Sequence, residues 1–257
     1  MIYRILAIGD VVGEEGLRFL RKHLSRLKRE KNINFCVVNG ENAAGVGVLP
    51  EQVQDLYAAG ADVVTLGNHT YGKMQLRDML EEDPYLLRPA NFTGRAPGKG
   101  YGVYECGGAR IAVMNLIGRY QLDHNADNPF FTADKLLGTE SPDFTLVDFH
   151  AESTSEKLAM GYYLDGRASA VWGTHTHVPT ADERVLPKGT GYITDLGMTG
   201  PAESVLGICP EQSIEMFLGG LPGRFRNAAG PCKINGCIFD LDTSTRRCVG
   251  VERVDVR

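Results

Sequence analysis

The chain has 257 residues, of which 43% are hydrophobic, with 31 Gly and 12 Pro. That composition excludes a disordered polymer and fits a turn-rich globular protein of one large domain or two small ones. The formal charge of -5 excludes wholesale non-specific binding to nucleic acid, but not attraction of a small anionic substrate at a local site.

Taken in chain order, the first expected elements alternate strand and helix. Ile5 to Ile8, Phe35 to Val38 and Val63 to Leu66 are short continuous apolar runs, the pattern of strands buried on both faces. Between the first two, Leu17, Leu20, Leu24 and Leu27 recur at helical spacing. The basic residues from Arg18 to Lys31 fill the opposite side and read as a solvated face rather than an RNA-docking surface, since no aromatic residues are interleaved as a stacking platform. A second helix is expected after Pro50 and a third over Met74 to Leu80. This alternation specifies parallel strands covered by helices.

The middle of the chain changes character. YGVYECGGARIAVMNLIG carries two strand-like runs around Gly107-Gly108, a hairpin signal. FTLVDFHAE follows, then a helix opened by Ser153 with Glu156 as its capping-box partner, then SAVWGTHTHVP. Further β-like runs occupy Gly191 to Thr194, Ile234 to Leu241 and Cys248 to Val254. Two mixed sheets packed together with helices outside accommodate these elements better than one doubly wound sheet. No linker, charge block or repeat divides the chain, so residues 1–257 are read as a single domain.

Cys36, Cys106, Cys209, Cys232, Cys237 and Cys248 form no C-x-x-C pair and are expected to be reduced thiols of a cytoplasmic protein. No signal peptide and no membrane-spanning stretch are expected.

The residues able to carry chemistry stand where apolar runs end. They are Asp10 in AIGDVVG, Glu41 and Asn42 in VVNGENAAG, Asn68 and His69 in TLGNHTYG, His150 in VDFHAE, and His175 with His177 in WGTHTHVPT. The carboxyl ends of strands in open α/β sheets form the crevice where ligands bind. Each residue alone has an ordinary structural explanation, but their joint placement does not. Four of the six histidines fall in these segments; His23 and His124 lie elsewhere and receive no role. On an extended chain His175 and His177 would project to one face, and Asp148 would share a face with His150 and orient its ring. Oxygen and nitrogen ligands without cysteine suit iron, manganese or zinc in a non-structural site. Seven ligands exceed the needs of one ion, whereas two ions roughly 3.5 Å apart sharing a carboxylate use them all. GNHTYGKM also matches the spacing of a P-loop, but Met74 stands where magnesium needs Ser or Thr.

Asp10, Gly40-Glu41-Asn42, Gly67-Asn68-His69, His150 and Gly173-Thr174-His175-Thr176-His177 together resemble the ordered motifs of the calcineurin-like metallophosphoesterases. Val12 stands where that superfamily usually has a His, and Glu41 where it has a bridging Asp. Both departures resemble the YmdB-type branch. That resemblance implies a four-layer αββα sandwich of two mixed β-sheets, a binuclear centre of two metal ions (iron, with manganese or zinc as alternatives) and hydrolysis of 2′,3′-cyclic nucleotides. It also implies a cytoplasmic homo-oligomer. Small phosphodiesters or RNA ends are the partners to expect, and no membrane.

By motif, Asp10, Asn42 and His177 would hold one metal. Asn68, His150 and His175 would hold the other, Glu41 would bridge, and His69 would remain unligated as the acid. Two divalent ions with Asp10, Glu41 and a bridging hydroxide leave a centre of about +1, attractive to a phosphodiester anion. The hydroxide would be the nucleophile. Gly72-Lys73 is then a chance match to the P-loop. A regulatory nucleotide- or RNA-binding protein with little turnover, and a metal hydrolase acting on non-phosphate substrates, are the competing readings.

Overall fold

The apolar runs become strands because each is covered on both sides. A computed structural model of the protein describes residues 1–122, 125–221 and 223–257; His124 lies outside them. The first sheet contains β1 (Ile2–Ile8), β2 (Asp10–Val11), β3 (Phe35–Asn39), β4 (Val63–Thr65), β5 (Leu86–Leu87), β12 (Met198–Pro201), β13 (Cys232–Asp242) and β14 (Arg247–Val256). Its order is β2-β12-β13-β1-β3-β4-β5, with β14 paired to β13. β1, β3, β4 and β5 run parallel, while β13 is antiparallel to β1. The second sheet contains β6 (Tyr101–Cys106), β7 (Ala109–Ile117), β8 (Phe144–His150), β9 (Ala170–Thr174), β10 (Arg184–Val185) and β11 (Gly191–Ile193), in the order β10-β11-β9-β8-β7-β6. Its β7, β8, β9 and β11 are parallel, with antiparallel β6 and β10 at the edges. Both sheets are therefore mixed.

Strand alternation explains the layering. In β1, Leu6 and Ile8 pack with leucines of α1 (Gly13–Glu30), while Tyr3, Ile5 and Ala7 face the other sheet. In β8, Phe144 and Leu146 meet that same inter-sheet core, while Val147 and Phe149 turn toward α5 (Thr154–Leu164). α2 (Pro50–Ala59) and α3 (Arg77–Glu82) join α1 on the outer face of the first sheet, and α4 (Pro129–Leu137) joins α5 outside the second. The result is helices, sheet, sheet, helices, the sandwich expected. Leu24 of α1 is fully buried in the outer core. Leu24→Ala should cost about 2–5 kcal/mol in urea unfolding, and a loss below about 1 kcal/mol would show that this layer repacks freely.

Several local expectations are met. Gly107 and Gly108 have φ of 56° and 83°, the pair of positive values a two-residue hairpin needs to pair Cys106 with Ala109. Leu17, Leu20, Leu24 and Leu27 are buried, and Arg21 and Lys28 of α1, with Lys31 just after it, pair with Asp55, Asp62 and Glu252. The third helix is a short 3-10 turn over Met74–Leu76 running into α3. The capping box at Ser153 does not form. Ser153 Oγ pairs with Ser155 Oγ at 2.8 Å, and Glu156 turns away to accept the backbone N–H groups of Arg119 and Tyr120. Those amides lie in the loop after β7, and the carboxylate satisfies them there.

Candidate metal centre

The carboxyl ends of the parallel strands from both sheets meet. β1 leads through Gly9 to Asp10, β3 to Glu41 and Asn42, β4 to Asn68 and His69, β8 to His150, and β9 to His175 and His177. The two sheets are stitched at this end by polar contacts. Thr65 at the end of β4 donates to Asp148 Oδ2 of β8 at 2.5 Å, and the backbone N–H of His175 donates to Asp10 Oδ2 at 3.1 Å.

All the expected residues assemble, in two groups. His150 Nε2 lies 2.9 Å from Asn68 Oδ1, 3.1 Å from His175 Nδ1 and 3.1 Å from Glu41 Oε2. His177 Nε2 lies 3.3 Å from Asn42 Oδ1 and 3.8 Å from Asp10 Oδ1. Asp10, Glu41 and His150 form a buried trio whose ligand atoms are all within 4.8 Å of one another. His69 sits against the first group. Its backbone N–H donates to Glu41 Oε1 at 2.6 Å, and its Nε2 is 3.3 Å from Asn68 Nδ2.

This arrangement suits a cation better than a hydrogen-bond network. Ligand atoms each about 2.1 Å from a common ion are roughly 3.0–3.4 Å apart at octahedral or tetrahedral angles. The contacts around His150 Nε2 fall near that range, and one nitrogen cannot supply a proton to three acceptors. Asp10 Oδ1 and Glu41 Oε2 are buried without a hydrogen-bond partner among the described residues. Burial pushes the carboxyl of Glu41 well above its ordinary pKa, with neighbouring Asp10 adding to the effect, and burial likewise raises Asp10. Burial also depresses His150 well below its ordinary value, with His175 reinforcing it, so its ring is neutral. Two desolvated carboxylates facing the neutral His150 ring and two side-chain amides call for positive charge, which a divalent cation provides.

Two sequence expectations about local geometry are corrected. Asp148 does not bond His150. Its Oδ1 accepts from Thr174 Oγ1 at 2.7 Å, and Thr174 Oγ1 lies 3.0 Å from His150 Nδ1. With its proton committed to Asp148, Thr174 accepts from Nδ1–H, leaving the lone pair of Nε2 aimed into the site. Thr174 occupies the direct path, because β9 pairs His150 with Thr174. Burial raises Asp148 to about 7, offset in part by the hydroxyls of Thr65 and Thr174.

His175 and His177 are also not on an extended segment. Their φ values are 96° and 63°, conformations that cost about 1–3 kcal/mol each for a residue with a side chain. The chain has left β9 at Thr174, and the two rings reach separate groups rather than one face.

The sequence reading missed Glu152, whose Oε2 is 3.1 Å from His175 Nε2. Its spacing of two from His150 was the available signal. Around the centre, Asp195 is bound into a buried pair with Lys157, Met198 is buried in β12, and Tyr120 is exposed. His23 packs on Phe19 within α1.

The sequence model of the family described as YmdB-like protein matches residues 6–254. The 2′,3′-cyclic-nucleotide 2′-phosphodiesterase of Bacillus subtilis (strain 168) is 47% identical over 254 residues, covering 98% of this chain and 96% of that protein. A hypothetical protein from Thermus thermophilus superposes with a TM-score of 0.92 at 40% identity, covering 98% of each chain. A novel phosphatase from Mycoplasma pneumoniae superposes with a TM-score of 0.94 at 35% identity, over 100% of this chain and 94% of that one.

Proposed function

The chain belongs to the YmdB-like family, and from that premise we propose that it is a metal-dependent phosphodiesterase hydrolysing 2′,3′-cyclic nucleotides at a binuclear centre. The observation that carries the reading is the pair of buried carboxylate oxygens of Asp10 and Glu41, without a hydrogen-bond partner among the described residues, facing two clusters of imidazole and amide donors. Asp10, Asn42 and His177 would hold one cation, and Asn68, His150 and His175 the other, with Glu41 between them. Iron, manganese and zinc all accept this donor set. RNA ends carrying a 2′,3′-cyclic phosphate present the same reactive group and fall within the proposed substrate class.

Two bound divalent ions would supply a nucleophile from water at neutral pH and polarise the phosphoryl oxygens. The chain's own residues do the rest. Thr174 and Asp148 keep the His150 proton on Nδ1, away from the centre. Asp10 and Glu41 bring two negative charges, too few to cancel two divalent ions, so an anionic diester is attracted. His69 is assigned to protonate the leaving ribose oxygen. Its backbone N–H on Glu41 fixes it beside the site.

Hydrolysis of 2′,3′-cyclic AMP should disappear on chelation and return when Mn2+ is restored. Hydrolysis that persists in metal-free protein would overturn the reading. His69→Ala should retain the bound metal while kcat falls about 10²–10⁴-fold. An unchanged kcat would remove His69 from proton transfer.

A further inference from the structure

The left-handed backbone at His175 and His177 must be imposed by its surroundings, because neither residue favours it. The residue between them shows how. Thr176 gives both its backbone N–H (3.3 Å) and its hydroxyl (2.7 Å) to a single oxygen, Oδ2 of Asp195. That oxygen also receives Lys157 Nζ at 2.6 Å. Lys157 and Asp195 are both 1% exposed in their side chains, so this is a fully buried ion pair. The carboxylate is fixed from its other side, where Oδ1 accepts from Gly197 N–H at 2.8 Å and the Asp195 N–H donates to Thr180 Oγ1 at 2.9 Å.

Lys157 reaches this position from α5 by crossing Gly173. A Cβ there would stand 2.8 and 2.9 Å from Cδ and Cε of the lysine stem. Gly173 is thus the gap through which the cation reaches the histidine segment.

We propose that Lys157 and Asp195 are positioning residues that hold His175 and His177 in their ligand geometry through Thr176. The pair reaches the segment through Thr176 and acts by fixing the backbone turn that sends alternate residues to different clusters. A buried ion pair adds little net stability over a well-packed apolar pair, and in some proteins its use is to fix one conformation. The proposal rests on the metal-centre reading above, since it is as ligands that the two rings need positioning.

Thr176→Val tests it. The variant keeps the β-branched shape and leaves the Lys157–Asp195 pair intact, but removes the hydroxyl link. Two readouts apply: Mn2+ affinity by calorimetry, and amide hydrogen exchange across residues 175–177 in metal-free protein. Mn2+ affinity should weaken about 10–100-fold, with faster exchange at those amides, an unchanged melting temperature, and recovery of both readouts in Thr176→Ser. Lys157→Met should give the same loss of affinity together with a lower melting temperature. Wild-type affinity and wild-type exchange in Thr176→Val would overturn the proposal. If the wild-type protein binds no Mn2+, the metal-centre reading fails instead, and the exchange measurement still decides whether Thr176 secures the turn.

Discussion

Replacing Glu41 by Gln is expected to reduce hydrolysis to background and to lower the metal bound per chain, while leaving metal-free protein as stable as wild type or more stable. The two halves of this result have one cause. Glu41 has no exposed surface, and its Oε2 faces Asp10 and the neutral His150 ring without a hydrogen bond among the described residues. Without a cation, an ionised carboxylate there is desolvated and beside another acid, which is why its pKa is raised. Gln fills the same volume and its carbonyl can still accept the His69 N–H. It brings no charge to desolvate, and an active site that is strained for function is where such a substitution relieves a stability cost. Chemical denaturation of chelated protein measures that half; metal analysis and turnover measure the other. Full turnover in Glu41→Gln, or strong destabilisation of the chelated variant, would show that Glu41 is an ordinary buried acid.

Gly67→Ala is the second large effect, and it arises from volume alone. A Cβ at residue 67 would overlap Glu41 Oε2 and the His150 ring, the two groups at the centre of the site. Gly67 does not adopt a positive φ, so the backbone accepts alanine and the clash falls wholly on the ligands. Stability should fall by about 1–3 kcal/mol from overpacking, offset in part because alanine restricts the unfolded chain by about 0.4–1 kcal/mol. Metal affinity should drop at least as much as when a ligand's supporting hydrogen bond is removed, about 10–100-fold, with activity falling in parallel. Gly94→Ala is the control, since nothing lies within 4 Å of the added carbon there. Wild-type metal content in Gly67→Ala would mean that the centre is roomier than the positions of Glu41 and His150 allow.

The glycine in GNHTYG therefore has a reason that differs from a phosphate cradle. It clears space for a carboxylate and an imidazole arriving from other strands.

Much of the architecture was legible in the sequence. Strands buried on both faces leave continuous apolar runs, and Ile5 to Ile8 or Phe35 to Val38 could hardly be anything else. The placement of acids, amides and histidines at strand ends followed from the same runs, since chemistry begins where the apolar pattern stops.

What was hidden depends on long-range contacts. Lys157 sits in the segment STSEKLAM, which reads as the solvated start of a helix, yet its ammonium is buried against Asp195, 38 residues on. Periodicity carries no information about that partner. The same contact, through Thr176, curls a segment that strand alternation would leave straight. Thr174 carries no role in the G-T-H-T-H motif reading, though its hydroxyl is what stands between Asp148 and His150. Glu156 shows the converse. A correct local signal for a capping box lost to two backbone N–H groups of a distant loop.

Anomalous diffraction from crystals of protein loaded with Mn2+ tests the central claim most directly. Two peaks per chain are expected, one among Asp10, Asn42 and His177 and one among Asn68, His150 and His175, with the carboxylate of Glu41 between them. A single peak, or peaks away from Glu41, would contradict the account.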